Sequence, residues 1–120
     1  MKLQALQRLE TAIVSGSLAR VSAHQIKTAF GNHYQKLFIE AFHGSYKAVK
    51  ALHAATLGDG NISTPGYHVC IWMSGKASVW DVISGDAHHA EIPGPEHHEA
   101  APMRAWLLCI VRALIARAAQ

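Results

Sequence analysis

Two neighbouring runs of β-branched and aromatic residues do most to limit what this chain can fold into. They cover residues 67–73 and 77–83, and the tripeptide Ser74-Gly75-Lys76 separates them. Runs of this composition, joined by a short segment that contains glycine, are typical of two antiparallel strands. The sequence therefore predicts a β-hairpin in the second half of the chain.

Both faces of the predicted hairpin are apolar. Successive side chains of a strand point to opposite faces, so Val69 and Ile71 share one face while Cys70 and Trp72 share the other. Trp80 extends the apolar surface on the second strand. Because a sheet that is apolar on both faces needs cover on both sides, we expect a small antiparallel sheet between helices, an α-β-α sandwich.

Helical segments flank the hairpin in the sequence. Apolar residues recur in them at helical spacing, capping residues mark their starts and glycines mark several of their ends. Four helices are predicted, over residues 3–13, 22–30, 45–57 and 103–116, the last of them opened by Pro102. Residues 32–44 carry apolar anchors without a clean period, so their conformation stays open. The segments 58–66 and 84–101 are rich in glycine, proline and polar residues, which predicts turns and a long polar loop.

Composition favours one α+β domain that spans residues 1–120. Half of the residues are hydrophobic and 16% are charged, which is typical of a globular chain of this length. The most apolar stretch, residues 100–119, contains Arg104, Arg112 and Arg117. Since arginine is costly near the middle of a bilayer, this stretch predicts a core helix and not a membrane span. The N-terminus has no apolar signal-peptide region, and we expect a cytoplasmic protein with no membrane partner.

Charge and cysteine content limit the partners further. The 11 basic and 8 acidic residues are scattered along the chain, whereas nucleic-acid-binding proteins usually carry a clustered basic stripe. Nucleic acid is therefore the weaker expectation. Cys70 and Cys109 each lie in an apolar run, which predicts two reduced, buried thiols that react slowly in the native state.

A histidine-rich segment in the predicted loop is the sharpest chemical feature. Imidazole and carboxylate groups are the ligands that zinc and other transition metals take, and one histidine from each adjacent pair could reach a single ion. The spacing matches no established metal motif, so the alternative is a solvated loop without a cofactor. The candidate ligands are His88, His89, Glu91, Glu96, His97 and His98.

The sequence contains no recognisable catalytic constellation, and we assign no catalytic residue. We interpret His53, on the third predicted helix, and His68, on the first strand, as structural residues rather than general bases. Trp72 and Trp80 would form a stacking platform for nucleobases if their face of the sheet were open. The apolar character of both strands instead predicts that a helix buries them.

Several segments together resemble the phage ABA sandwich proteins, which are small α-β-α domains encoded by phages and prophages. The resemblance covers residues 6–31, residues 45–53, the strand end Val79-Trp80-Asp81 and residues 102–115. It implies an α-β-α fold and passes on no catalytic residues.

The expected function follows from the resemblance together with the missing catalytic pattern. We expect a phage or prophage accessory protein that acts non-enzymatically, in the cytoplasm of a bacterial host, by binding a host factor or a copy of itself. The first alternative is a metal-binding module or metal-dependent hydrolase built on the segment from His88 to His98. The second alternative is nucleic-acid binding through the tryptophan-bearing face.

Overall fold

The computed structural model describes residues 2–58, 66–81, 83–92 and 100–119, and these residues form five helices and one antiparallel sheet. In chain order the elements are α1 (Lys2–Ser15), α2 (Ala23–Phe30), α3 (Gln35–Phe42), α4 (Tyr46–Leu57), β1 (His68–Trp72), β2 (Lys76–Trp80), β3 (Ala87–Glu91) and α5 (Ala101–Ala118). The α+β class is confirmed. Within the described residues, no helix combines the length and the hydropathy that crossing a bilayer requires.

The four predicted helices are confirmed, and two of them, α2 and α4, begin at the capping residues that the sequence indicated. The Ser22 hydroxyl accepts a hydrogen bond from the Gln25 backbone, and the Gln25 side chain accepts one from the Ser22 backbone, which closes a capping box on α2. Ser45 caps α4 through the backbone of Ala48. These bonds satisfy amide groups that the first turn of a helix leaves without intrahelical partners.

Helix α3 lies in residues 32–44, for which the sequence predicted no conformation. Phe38, Ala41 and Phe42 are buried on one side of it, which is the i, i+3, i+4 spacing of a helix face. Its first turn lacks the usual signal, because Tyr34 occupies the N-cap and makes no side-chain capping bond. Packing therefore specifies this helix more than capping does.

The hairpin is confirmed, with β1 and β2 paired antiparallel so that Trp72 lies opposite Lys76. The connecting turn closes through a bond from the Gly75 N–H to the Trp72 carbonyl. Gly75 has a φ of 97°, a left-handed conformation that glycine adopts without steric cost.

The expectation of a polar loop over residues 84–101 is wrong for its first part. Residues Ala87–Glu91 form β3, which pairs antiparallel with β2, so that the strand order is β1-β2-β3. The segment Ala-His-His-Ala-Glu has little β propensity of its own. The unpaired edge of β2 makes it a strand, because that edge offers backbone partners to a neighbouring segment.

Helix α5 connects the helical part of the fold to the sheet. Helix α5 lies at the centre of the molecule, where the sheet packs on one side of it and α1, α3 and α4 pack on the other. Twelve of its side chains, among them Leu107 and Ile110, are buried. The sheet is thus an outer layer with one face on α5, and the described residues place no helix over its second face.

Candidate binding face

The main candidate site is the side of the sheet on which the structure describes no covering helix, and we call it the open face. Strand alternation and the observed register place nine side chains on it in three rows. They are His68, Cys70 and Trp72 of β1, Lys76, Ser78 and Trp80 of β2, and Ala87, His89 and Glu91 of β3. The opposite side, which includes Val69, Val79 and Ala90, faces α5 and the core.

Aromatic groups dominate two rows of the open face. The Trp72 side chain is 48% exposed, a large fraction for a tryptophan that the sequence predicts to be covered. The Trp80 ring stacks on the His68 imidazole with ring centroids 5.7 Å apart. The prediction that a helix buries both tryptophans is wrong for Trp72, because the helix that covers the sheet lies on the other side.

The polar groups of the open face balance each other in charge. Lys76 lies directly opposite Glu91 and next to Trp72 in the same row. The middle row carries Ser78 and His89, whose hydroxyl and Nδ1 are 2.8 Å apart. The face therefore combines a half-exposed aromatic surface with one positive and one negative side chain.

The pair of Ser78 and His89 contains the atom types of a nucleophile and its base. However, Ser78 is only 8% exposed, and within the described residues the second imidazole nitrogen of His89 has no hydrogen-bond partner that would orient the ring. We interpret the bond as a cross-strand side-chain pair that ties β2 to β3.

The two cysteines lie in opposite environments, which corrects the prediction of two buried thiols. Cys109 of α5 is fully buried, its Sγ donates to the Ala77 carbonyl at 3.4 Å, and burial raises its thiol pKa to about 12. Cys70 is exposed on the open face. Both cysteines lie in apolar runs of the sequence. This context did not reveal that Cys70 lies on the exposed side of β1.

We predict that a thiol reagent modifies the native protein rapidly at Cys70 and only on unfolding at Cys109. The thiolate is the reactive species, and at Cys109 both the raised pKa and the surrounding core suppress it. Ellman's reagent followed by mass spectrometry of the labelled peptides measures both rates. Rapid native labelling of Cys109, or protection of Cys70, would contradict this arrangement.

The candidate metal ligands do not converge in the described part of the chain. His88 lies on the core side of β3, where its Nε2 is 3.0 Å from an Asp86 oxygen, while His89 and Glu91 lie on the open face. Among the described residues, no three His, Cys, Asp or Glu side chains come together in a way that could hold a metal ion. Glu96, His97 and His98 lie outside the described residues, so a zinc site that includes them stays a prediction.

Tyr67, Asp86 and His88 form a polar network beside the sheet that the sequence did not predict. The Tyr67 hydroxyl donates to the Asp86 carboxylate, which also contacts His88. The bond from Tyr67, and next the contact with His88, lowers the pKa of the Asp86 carboxyl, whereas burial and the same bond raise the pKa of Tyr67. The network joins the start of β1 to the start of β3. It could not be predicted from local sequence patterns, because Tyr67 and Asp86 are 19 residues apart.

His53 has the structural role that the sequence predicts. Its Nε2 is 2.6 Å from the Tyr67 carbonyl, and its Nδ1 accepts a hydrogen bond from the Trp106 indole at 3.0 Å. A carbonyl can only accept, so the proton of the neutral ring is on Nε2. Because protein groups occupy both nitrogens and the side chain is 4% exposed, the ring serves as a link between α4, α5 and the start of β1.

Comparison with models of known protein families, with curated proteins and with solved structures found no match. The resemblance to the phage ABA sandwich proteins therefore stays a prediction.

Proposed function

We propose that this chain is a non-enzymatic accessory protein, encoded by a phage or prophage, that binds a protein partner through the open face. The observation that carries the proposal is the half-exposed Trp72 on a sheet face that the described residues leave uncovered. Tryptophan is enriched among the residues that dominate the binding energy of protein interfaces, and Trp72 shares the open face with a second aromatic group, the stack of Trp80 on His68.

The charge of the open face favours a protein over a nucleic acid. Lys76 and Glu91 neutralise each other in the row that contains Trp72, so these two side chains give the open face no net charge. A surface that follows a phosphate backbone would instead need several basic side chains. Two further large apolar side chains near β2 are exposed, Met73 before its start and Ile83 after its end, at 80% and 83%.

The biological setting rests on the resemblance in the sequence. Phage and prophage accessory proteins act inside a bacterial host, so a cytoplasmic host factor or a second copy of the chain is the expected partner. The arrangement of Ser78, His89 and His53, whose polar atoms serve structural bonds, supports a role without catalysis.

One second candidate has an observation in its favour. It is the binding of single-stranded nucleic acid, whose bases stack on aromatic side chains of an open sheet. The sequence argued against it by predicting that a helix buries Trp72, but Trp72 is exposed. The balanced charge weighs against it, and the two candidates respond differently to salt, since phosphate contacts weaken steeply as salt rises.

The test begins with the protein attached to a support through one terminus, so that the open face stays accessible. A bacterial lysate is passed over it, and the captured protein is identified and purified. Its affinity is then measured by calorimetry for wild type and for Trp72→Ala. We expect the substitution to weaken binding at least tenfold, which corresponds to about 1.4 kcal/mol or more, because a central interface tryptophan is lost.

Tyr46→Ala is the matched control, since Tyr46 is an aromatic residue of similar exposure, 54%, on the distant helix α4. It should leave the affinity within about twofold. A larger loss with Tyr46→Ala than with Trp72→Ala would place the interface on the helices and overturn the proposal. Salt-sensitive binding of a single-stranded oligonucleotide, abolished by Trp72→Ala, would make the nucleic-acid candidate the better one.

A further inference from the structure

The two edge strands of the sheet differ in how they are protected. An edge strand presents backbone N–H and C=O groups that can pair with another chain, and charged side chains or covering groups normally prevent this. At the β3 edge, Arg112 donates to the His89 carbonyl at 3.0 Å, and Glu91 adds a charge. Strand β1, with the sequence His-Val-Cys-Ile-Trp, has neither an acidic or strongly basic side chain nor a proline.

The register shows which β1 groups point outward. The turn bond from Gly75 to Trp72 makes Trp72 and Lys76 a hydrogen-bonded pair, and such pairs recur at every second position of an antiparallel ladder. The backbone groups of Val69 and Ile71 therefore point away from β2. Within the described residues, nothing donates to these outward groups or accepts from them.

We propose that β1 pairs antiparallel with β1 of a second copy, which joins two three-stranded sheets into one six-stranded sheet. Complete overlap of the two strands places Cys70 on the two-fold axis, with Val69 of each copy bonded to Ile71 of the other. Trp72 then lies across from His68 of the second copy. The strand is complementary to itself in hydrogen bonding, and no two like charges oppose the pairing.

The helical layer leaves room for this pairing. Helix α5 packs mainly beneath β2 and β3 and less closely beneath β1, so this helix lies away from the outward groups of Val69 and Ile71, while α4 meets β1 only at its start, through Tyr67. A two-fold axis perpendicular to the sheet puts both helical layers on one side and both open faces on the other.

The dimer deepens the proposed function, on which it rests, because it names a second copy of the chain as one partner and doubles the open face. Three strands of five residues span roughly 15 Å by 15 Å, which is small beside the ~800 Å² that each partner of a stable complex buries. Two faces side by side present the His68–Trp80 stack of one copy next to Trp72 of the other, as one aromatic surface.

A charge-pair experiment tests the register with the full chain. Wild type is expected to sediment as a dimer that dissociates on dilution. Cys70→Lys and Cys70→Glu should each be monomeric under the same conditions, because like charges would face each other across the axis. An equimolar mixture of the two variants should recover the dimer. Ala87→Lys, which places the same charge on the open face at the opposite edge, should sediment as wild type.

Oxidative cross-linking provides a second readout. Residues opposite each other at a non-hydrogen-bonded position have Cα atoms about 4.5 Å apart, within the range that a disulfide spans. Oxidised glutathione should therefore convert two Cys70 thiols into one intermolecular disulfide while it is reduced to two molecules of glutathione. Cys70→Ser should prevent the covalent product yet still sediment as a dimer.

A wild-type chain that stays monomeric at every concentration, or an Ala87→Lys variant that dissociates as readily as Cys70→Lys, would overturn the dimer. The proposed function, partner binding through the open face, can be tested independently of the dimer. If the chain is monomeric but Trp72→Ala still abolishes partner binding, only the dimer is wrong; if the dimer forms but Trp72→Ala has no effect on partner binding, only the open-face proposal is wrong.

Discussion

Replacing Leu107 by alanine is expected to lower the free energy of unfolding by about 2–5 kcal/mol. Leu107 is fully buried in α5, and α5 is enclosed by the sheet on one side and by the other helices on the opposite side. Truncation therefore removes apolar contacts and leaves a cavity that neighbours on two sides cannot readily fill. Few single positions in the chain should affect stability more.

Urea unfolding followed by circular dichroism measures this loss. Val14→Ala is the control, because Val14 is 49% exposed on α1 and its truncation should change stability by no more than about 0.5 kcal/mol. If Leu107→Ala fails to fold, the milder Ile110→Val should still cost ~0.5–1.5 kcal/mol. Wild-type stability in both α5 variants would contradict the central position of this helix.

The parts of the fold that the sequence predicted are those whose signals are local. Helix α2 has a complete capping box at Ser22, an apolar stripe and a terminating glycine within ten residues, and the hairpin has its turn glycine at position 75 between two β-rich runs. Each signal reports a backbone preference or a periodicity that exists before the chain folds.

Strand β3 could not be predicted because its cause is not local. The segment Ala87–Glu91 has alternating burial only at Ala90 and, in part, at His88, and histidine and alanine carry no strong β preference. Its pairing with β2 depends on a partner that lies earlier in the chain. The same segment contains three of the proposed metal ligands, and their placement on a strand separates His88 from His89.

For the candidate site, the sequence predicted which side chains share a face but not that this face is exposed. Alternation along β1 correctly grouped Cys70 with Trp72, but apolar identity does not reveal whether a helix will cover a given face. The covering helix α5 is apolar nearly all round, and it uses that surface to contact the sheet on one side and the helices on the other. One helix therefore contacts both layers, and no helix of the described residues covers the second face of the sheet.

The second large effect is expected at His53. Replacing it by leucine, which fills similar space but has no ring nitrogens, should lower the free energy of unfolding by roughly 2–5 kcal/mol. The substitution leaves the Trp106 N–H without its acceptor and the Tyr67 carbonyl without its donor. Each buried group that loses its partner costs about 1–3 kcal/mol, and both Trp106 and Tyr67 are less than 5% exposed.

A double-mutant cycle with Trp106→Phe isolates the hydrogen bond from simple packing. Phenylalanine removes the indole N–H, so His53→Leu in that background no longer leaves a buried donor unsatisfied, and it should cost less than in wild type by about 0.5–3 kcal/mol, the usual coupling between residues in contact. Urea unfolding of all four proteins at neutral pH gives this coupling directly. An equal cost in both backgrounds would mean that the bond from the Trp106 indole to His53 contributes nothing to this loss, which would then come from packing and from the Tyr67 carbonyl.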